Sequence, residues 1–260
     1  MITSMPVILL TDFGSSDPYV GQMKGVILRH APHTILLDLY HEIPPFAIKS
    51  GAWLLERCLA HMPKPAVWLC VVDPGVGSER RGLVVQAEGS FFVGPDNGLL
   101  TPVLLKPETR IVELKQPNDR NVSATFHGRD IFAPVAAQLL HGQKLDTLGH
   151  ALTSPPVTLT DPGWCAMNQE WQTEVILVDR YGNLITPLPG VALQGKRVTG
   201  WINGQACGPL VTTFSSVAPG NSALVVGGFS TLEVMVNQGS AAERFACGSG
   251  AQLRLLEVAS

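Results

Sequence analysis

Short apolar runs alternate with amphipathic stretches through the first 150 residues of the chain. Val7–Thr11 reads as a strand, and Asp17-Pro18 then offers an N-cap and a first-turn proline for a helix running to about His30. Val20, Met23 and Ile27 fall on one face of that helix, which should pack on a sheet. Gly21 and Gly25, four apart, would permit close approach there. Ile35–Leu39 reads as a second strand and Phe46–His61 as a second helix, entered through Pro44-Pro45. Val67–Val72 is a continuous apolar run of the kind buried on both faces. This β-α-β-α-β order predicts an N-terminal α/β domain with a largely parallel sheet. Leu83–Ala87, Ser90–Val93 and Ile111–Leu114 add strands, and Arg129–Leu140 adds a helix.

The pattern changes between Ala151 and Trp164, where three prolines break any helical period. Beyond it, Glu174–Val178, Leu184–Thr186, Ala223–Val226, Leu232–Val236 and Gln252–Glu257 read as short strands separated by glycines. A turn of helix at Ser240–Arg244 is the one exception. The expected organisation is an α/β domain over residues 1–150, a linker over 151–165, and a smaller all-β domain over 166–260.

Composition narrows the function classes. Apolar residues make up 45% of the 260-residue chain and charged residues 15%, as in a globular protein and not a disordered one. Formal net charge is −3 and no Lys/Arg block is present, so no nucleic-acid partner is expected. The apolar run Ala66–Val72 has seven residues against the roughly 20 of a membrane span, so no membrane partner is expected either. Met5-Pro6 leads directly into the first apolar run, which reads as a strand and not as a signal peptide. Five scattered cysteines without a C-x-x-C pair read as buried, reduced thiols, and the expected location is the cytoplasm.

Ligands of open α/β sheets bind beyond the carboxyl ends of the strands, and polar residues gather there. The first strand ends in Thr11-Asp12-Phe13-Gly14, and the third in Asp73-Pro74-Gly75-Val76-Gly77 followed by Arg80-Arg81. Gly94-Pro95-Asp96-Asn97-Gly98 is a later turn, and Thr125-Phe126-His127-Gly128-Arg129-Asp130 precedes the last helix of the domain. Singly, Asp12 is as readily a turn residue as a ligand, Asp73 and Asp96 are turn formers, Asp17 is a cap, Arg81 is a surface charge, and His127 is a core histidine. An acid, an arginine and a histidine converging on one rim shift the balance toward function.

These motifs, in this order, resemble the S-adenosyl-L-methionine (SAM) hydrolases, or SAM hydroxide adenosyltransferases, relatives of the bacterial fluorinase and chlorinase. Asp179-Arg180-Tyr181-Gly182-Asn183, Leu232-Glu233-Val234-Met235-Val236-Asn237 and Gly239-Ser240-Ala241-Ala242 carry the resemblance through the second domain. It implies a water-activating triad of Asp73, Arg80 and His127, a set the halogenating relatives lack. It implies that Asp12 binds the ribose hydroxyls, with Phe46 and Phe126 packed around the sugar. Asn183 would meet the adenine or methionine end, and Asp179 and Glu233 the methionine ammonium. Gly227-Gly228-Phe229-Ser230 departs from the Asn-Ser-x-Gly turn frequent in the family, so the methionine-carboxylate contacts are not assigned, and Phe229 is a candidate substrate-binding residue there. SAM would be substrate, no cofactor or metal is implied, and the assembly would be a homotrimer with sites between neighbouring subunits.

The chemistry is consistent with that set. A sulfonium leaves ribose C5′ as a neutral thioether, so the leaving group needs neither acid nor metal. Water is the poor partner, and an acceptor (Asp73 or His127) beside a cation (Arg80) would give it hydroxide character. Two other readings stand beside this one. Asp12, Asp73, Asp96, His127 and Asp130 could surround a divalent ion in a phosphohydrolase, although Arg80 would put a positive charge beside that metal. The same pocket could also serve a non-catalytic SAM or nucleoside sensor. A dinucleotide-binding enzyme is disfavoured, because no G-x-G-x-x-G follows the first strand.

Overall fold

The computed structural model describes residues 5–115, 122–161 and 163–258. The chain divides into two compact units, the first ending at Leu159 and the second starting at Thr160. Pro162, within the expected linker, lies outside the described residues.

The first unit runs β1 (Val7–Thr11), α1 (Tyr19–His30), β2 (Leu36–Tyr40), α2 (Ile48–Cys58), β3 (Val67–Val71), β4 (Gly82–Ala87), β5 (Ser90–Pro95), α3 (Thr101–Leu104), β6 (Arg110–Leu114), α4 (Ala133–Leu140), α5 (Leu145–Leu148) and β7 (Gly149–His150). Its seven strands lie in the order β2-β1-β3-β5-β4-β6-β7. β1 pairs in parallel with β2 and β3, and β3 with β5. The pairings β5–β4, β4–β6 and β6–β7 are antiparallel. The sheet is therefore mixed, which corrects the expectation of a largely parallel one. The cause is local: β4 and β5 are joined through Glu88 (φ 50°) and Gly89 (φ 76°), a two-residue hairpin loop that forces the second strand back along the first.

All five residues of β1 and of β3 are buried, as a strand covered on both faces requires. Val20, Met23 and Ile27 of α1 join Val7, Leu9, Val67 and Leu69 in one core cluster, together with Phe132 and Ala136. Gly21 and Gly25 are not the close-approach positions, since both face open space. That role falls to Gly51 of α2, where a Cβ would come within 2.7 Å of Leu99 Cδ1. Asp17 does not cap α1, as Pro18 occupies the N-cap position. The second helix starts at Ile48, because Phe46 has φ 68° and cannot be helical. Before α4 the segment Gly128–Phe132 winds as a π-turn. Pro134, in the first turn of α4, has no N–H for the ordinary bond to the Asp130 carbonyl.

The second unit is built from β8 (Trp164–Met167), β9 (Glu170–Glu174), β10 (Leu177–Val178), β11 (Leu184–Pro189), β12 (Val198–Ile202), β13 (Gln205–Val211), β14 (Ser222–Val226), β15 (Thr231–Val236), the single helical turn α6 (Ala241–Arg244) and β16 (Gln252–Glu257). The strand order is β10-β11-β15-β14-β13-β12-β16-β9-β8, antiparallel except for β13–β14. Ser240 caps α6 by accepting from the Glu243 N–H. The cysteines are all free thiols; Cys70 and Cys207 are buried as expected, while Cys165 is exposed. Among the described residues no helix is long and apolar enough to cross a membrane.

Candidate active site

The parallel pairing of β1 with β3 fixes the first two acids of the rim. Asp12 follows β1, its N–H donating to the Val71 carbonyl at 3.4 Å, and Asp73 stands two residues beyond the end of β3. Both line a cleft of about 520 Å³ with Phe13, Tyr19, His41 and Phe46. Asp12 Oδ2 accepts from the Phe46 N–H at 2.9 Å, which holds the loop after β2 over the strand end. Burial raises the Asp12 pKa above the ordinary carboxylate value, opposed by that hydrogen bond and reinforced by the nearby charge of Asp73.

From Asp73 the chain turns sharply, with Val76 N–H on the Asp73 carbonyl and Ser78 N–H on that of Gly75. The turn returns Arg80 to Asp73. Arg80 Nε donates to Asp73 Oδ1 at 2.9 Å and Nη2 to Oδ2 at 2.6 Å, with the two side chains 10% and 4% exposed. The Arg80 guanidinium lies over the Phe132 ring, 5.1 Å from its centroid. Arg80 Nη2 also meets His127 Nδ1 at 2.7 Å. A guanidinium can only donate, so Nδ1 accepts and the His127 proton sits on Nε2. Burial, and then the charge of Arg80, lower the His127 pKa, which keeps the ring neutral at pH 7. Asp73, Arg80 and His127 therefore form one hydrogen-bonded row, and Asp73 is the member that reaches the cleft wall.

The other polar residues of the rim have structural tasks. Asp96 is buried against Arg81, accepting from its Nε at 2.7 Å and from the Val157 N–H at 2.8 Å. Arg81 also donates to the Ser154 and Pro155 carbonyls, tying that segment to the loop after β3 within the first unit. Asp130 accepts from Arg129 and from the Ser123 N–H, fixing the loop that carries His127. Phe126 is buried against Phe13 and Tyr19, with ring centroids 5.8 and 5.3 Å away, and so backs the cleft from behind. Phe46 is 70% exposed on the cleft's outer edge.

In the second unit a tight turn brings Asp179 and Asn183 together. Asp179 Oδ1 accepts from the Tyr181 and Asn183 N–H groups, and Oδ2 from Asn183 Nδ2 at 2.8 Å. Gly182 (φ 81°) is required there, since a Cβ would meet Ser240 Oγ at 2.1 Å. Asn183 lines a cleft of about 560 Å³ with Tyr181, Phe214, Val236, Gln238 and Ser240. Glu233 is buried within β15, and burial, reinforced by the charge of Asp179, pushes its carboxyl up to about 7. Its oxygens lie against Gly227, where even a Cβ would overlap them. The Gly227-Gly228-Phe229-Ser230 turn thus makes room for Glu233, and Phe229 is half-buried within it.

Sequence reasoning missed His41, Tyr19 and Glu42 in the first cleft and Phe214 and Gln238 in the second. His41 had a legible signal: it directly follows β2, on the same rim as Asp12.

Two family models match the chain, one within each unit. Residues 7–149 match the N-terminal domain, and residues 173–254 the C-terminal domain, of SAM hydroxide adenosyltransferases. A protein of Thermus thermophilus named (R)-S-adenosyl-L-methionine hydrolase is 38% identical over 96% of this chain and 99% of its own. A Salinispora tropica protein of the same name is 37% identical, covering 94% and 95%. A fluorinase of Actinoplanes is more distant, at 25% identity over 58% of the chain. The solved structure of an uncharacterized conserved protein from Thermotoga maritima superposes with a TM-score of 0.85 at 32% identity, covering 96% of this chain and 99% of that one. The chain belongs to the SAM hydroxide adenosyltransferase family.

Proposed function

We propose that this protein hydrolyses S-adenosyl-L-methionine to adenosine and L-methionine, with water attacking ribose C5′. The observation that carries the reading is the Asp73–Arg80–His127 row, which ends in a carboxylate on the wall of a cleft that also presents Asp12. Names of the full-length relatives support the same substrate.

Asp73 is the proton acceptor. His127 Nδ1 is occupied by Arg80 and Nε2 already carries hydrogen, so the ring has no free lone pair for a second proton. As the C5′–O bond forms and the C5′–S bond breaks, the water proton passes to Asp73 and methionine leaves as a thioether. Arg80 holds the carboxylate in place, and neutral His127 fixes the guanidinium without adding charge. Asp12 binds the ribose hydroxyls, with Phe46 and Phe126 around the sugar. Asn183, Asp179, Glu233 and Phe229 serve the far ends of the substrate. The carboxylates also offset the sulfonium charge in a partly dry site.

No step needs a metal. Asp73, Asp96 and Asp130 are each paired with an arginine, and those positive charges disfavour a divalent ion at the acids weighed for one. The functional form is a homotrimer in which neighbouring copies complete the sites, working in the cytoplasm.

The test uses purified, chelator-treated protein incubated with SAM in ¹⁸O-water. Adenosine and methionine should form, with the label on the 5′ oxygen. Asp73→Ala, Arg80→Ala and His127→Ala should each lower kcat by roughly 10²–10⁴-fold, the range for general-base catalysis. Their double mutants should be little worse than the worst single. Activity that returns only with a divalent ion, or an unlabelled 5′ oxygen, overturns the reading.

A further inference from the structure

Among the titratable side chains of the cleft that the proposed chemistry leaves without a task, His41 is the one hydrogen-bonded to the strand end that carries Asp12. It directly follows β2, and its ring reaches the cleft wall. Its two nitrogens are both engaged. Nδ1 lies 2.8 Å from the hydroxyl of Thr11, the fully buried last residue of β1, and Nε2 lies 3.0 Å from Asp38 Oδ1. Asp38 Oδ2 in turn accepts from Lys24 Nζ of α1 at 2.5 Å. Every polar atom of this row is satisfied when Thr11 donates to Nδ1 and the Nε2–H donates to Asp38.

The row ends on the backbone that carries Asp12. Thr11 Oγ1 also accepts from the Phe13 N–H at 3.2 Å, bracketing Asp12 from both sides. The His41 carbonyl accepts from the Gly14 N–H at 2.8 Å, and Asp12 itself accepts from the Phe46 N–H at the far end of the His41 loop. Two loops are thus laced at three points around one carboxylate. Without His41, the Thr11 hydroxyl would lose its acceptor and could rotate away from the Phe13 amide. A carboxylate bonded to two vicinal hydroxyls needs both directions fixed, and a row anchored on the buried Thr11 hydroxyl supplies that fixity.

We propose that His41, backed by Asp38 and Lys24, is a positioning residue that fixes the Asp12 carboxylate for the ribose diol. This rests on the reading of Asp12 given above. The row sets the affinity and selectivity of the enzyme for a nucleoside with both 2′- and 3′-hydroxyls, and it takes no part in proton transfer to Asp73.

Calorimetry with adenosine and 2′,3′-dideoxyadenosine tests it on the full-length protein. His41→Leu should weaken adenosine binding about tenfold, the loss of one to two net hydrogen bonds, and leave dideoxyadenosine binding unchanged. With SAM the same variant should raise KM with kcat within about threefold, since uniform binding is what is lost. His41→Gln, whose amide can accept from Thr11 and donate to Asp38, should restore most of the discrimination. Asp38→Ala, at an exposed residue, should cost about threefold and decides the matter should His41→Leu not fold. Equal losses for both nucleosides would make His41 a merely structural residue and overturn the proposal, as would unchanged discrimination in His41→Leu and Asp38→Ala. A wild-type protein that does not distinguish the two nucleosides would instead overturn the role of Asp12, and this proposal with it.

Discussion

At the scale of single residues, Glu233, proposed above to meet the methionine end, is a carboxyl whose burial costs stability. β15 is buried at every position, and a carboxylate there is held against its desolvation and the neighbouring charge of Asp179. Its pKa in the fold, about 7, lies above the ordinary 4.5. The unfolded chain therefore loses this proton first, and stability falls as pH rises from about 4.5 through 7. Glu233→Gln should accordingly raise Tm at pH 8 by roughly 2–4 °C per kcal/mol relieved, with the gain vanishing near pH 4.5. If the ionised carboxyl holds the methionine ammonium, the ratio of SAM dissociation constants, variant over wild type, should widen between pH 5.5 and 7.5. Measuring the ratio cancels titration of the ligand, and a constant ratio would remove Glu233 from the binding site. Such residues are legible in the sequence only up to a point. Asp12, Asp73 and His127 stood out because each interrupts an apolar pattern at a strand end or helix start. The direction of the His127 hydrogen bond was not legible, because it depends on which atom of Arg80 arrives there.

Elements explain how residues 47 positions apart come to share one hydrogen-bonded row. The loop after β3 must press against the loop before α4, and Gly77 is the point of contact. It has φ 78°, and a Cβ there would lie 2.4 Å from the Ala124 carbonyl oxygen. Gly77→Ala must therefore push the two loops apart and separate Arg80 from His127. Gly89, in the β4–β5 hairpin, has a similar φ of 76° but no neighbour within 4 Å, and so isolates the backbone cost. Both substitutions to alanine should destabilise by about 1–2 kcal/mol through the left-handed conformation. Only Gly77→Ala should also lower kcat, by at least about tenfold if misplacement of the triad is what is felt. Thermal melts and steady-state rates on the pair separate the effects, and equal rates would show that the contact is not needed for catalysis. The same hairpin marks where the sequence was misread. The β-α-β-α-β order correctly indicated the parallel centre of the sheet, β2-β1-β3, where helices fill the crossovers. Beyond it the Glu88-Gly89 step was a visible hairpin signal, and it makes β4 antiparallel to β5. In the second unit, β12 and β13 went unread because Gly200 and Gly208 interrupt their apolar alternation. Gly208 is required by its approach to the Ser222 carbonyl oxygen, a contact between strands that no local pattern reveals.

For the molecule as a whole, the open question is how many copies make one site. The first unit presents Asp12 and the Asp73–Arg80–His127 row, and the second presents Asn183, Asp179 and Glu233. Each cleft carries a large aromatic side chain open to solvent, Phe46 at 70% and Tyr181 at 77% exposure, as surfaces do that are covered on assembly. Cyclic assemblies repeat one heterologous contact, so every interface would pair the same two surfaces of neighbouring copies. Under the proposed trimer, a subunit with Asp73→Ala is defective in one partner of each site it joins, and a subunit with Asn183→Ala in the other. Each variant alone should be nearly inactive. Unfolded together in equal amounts and refolded, they should form mixed trimers in which about a quarter of the sites draw both halves from intact units. Activity should therefore return to about a quarter of the wild-type value, while each variant refolded alone stays inactive. Sedimentation should show a trimer's mass in all three samples. A mixture no more active than its parts would place all of these residues in a site made by one copy, and a monomer in sedimentation would remove the trimer itself.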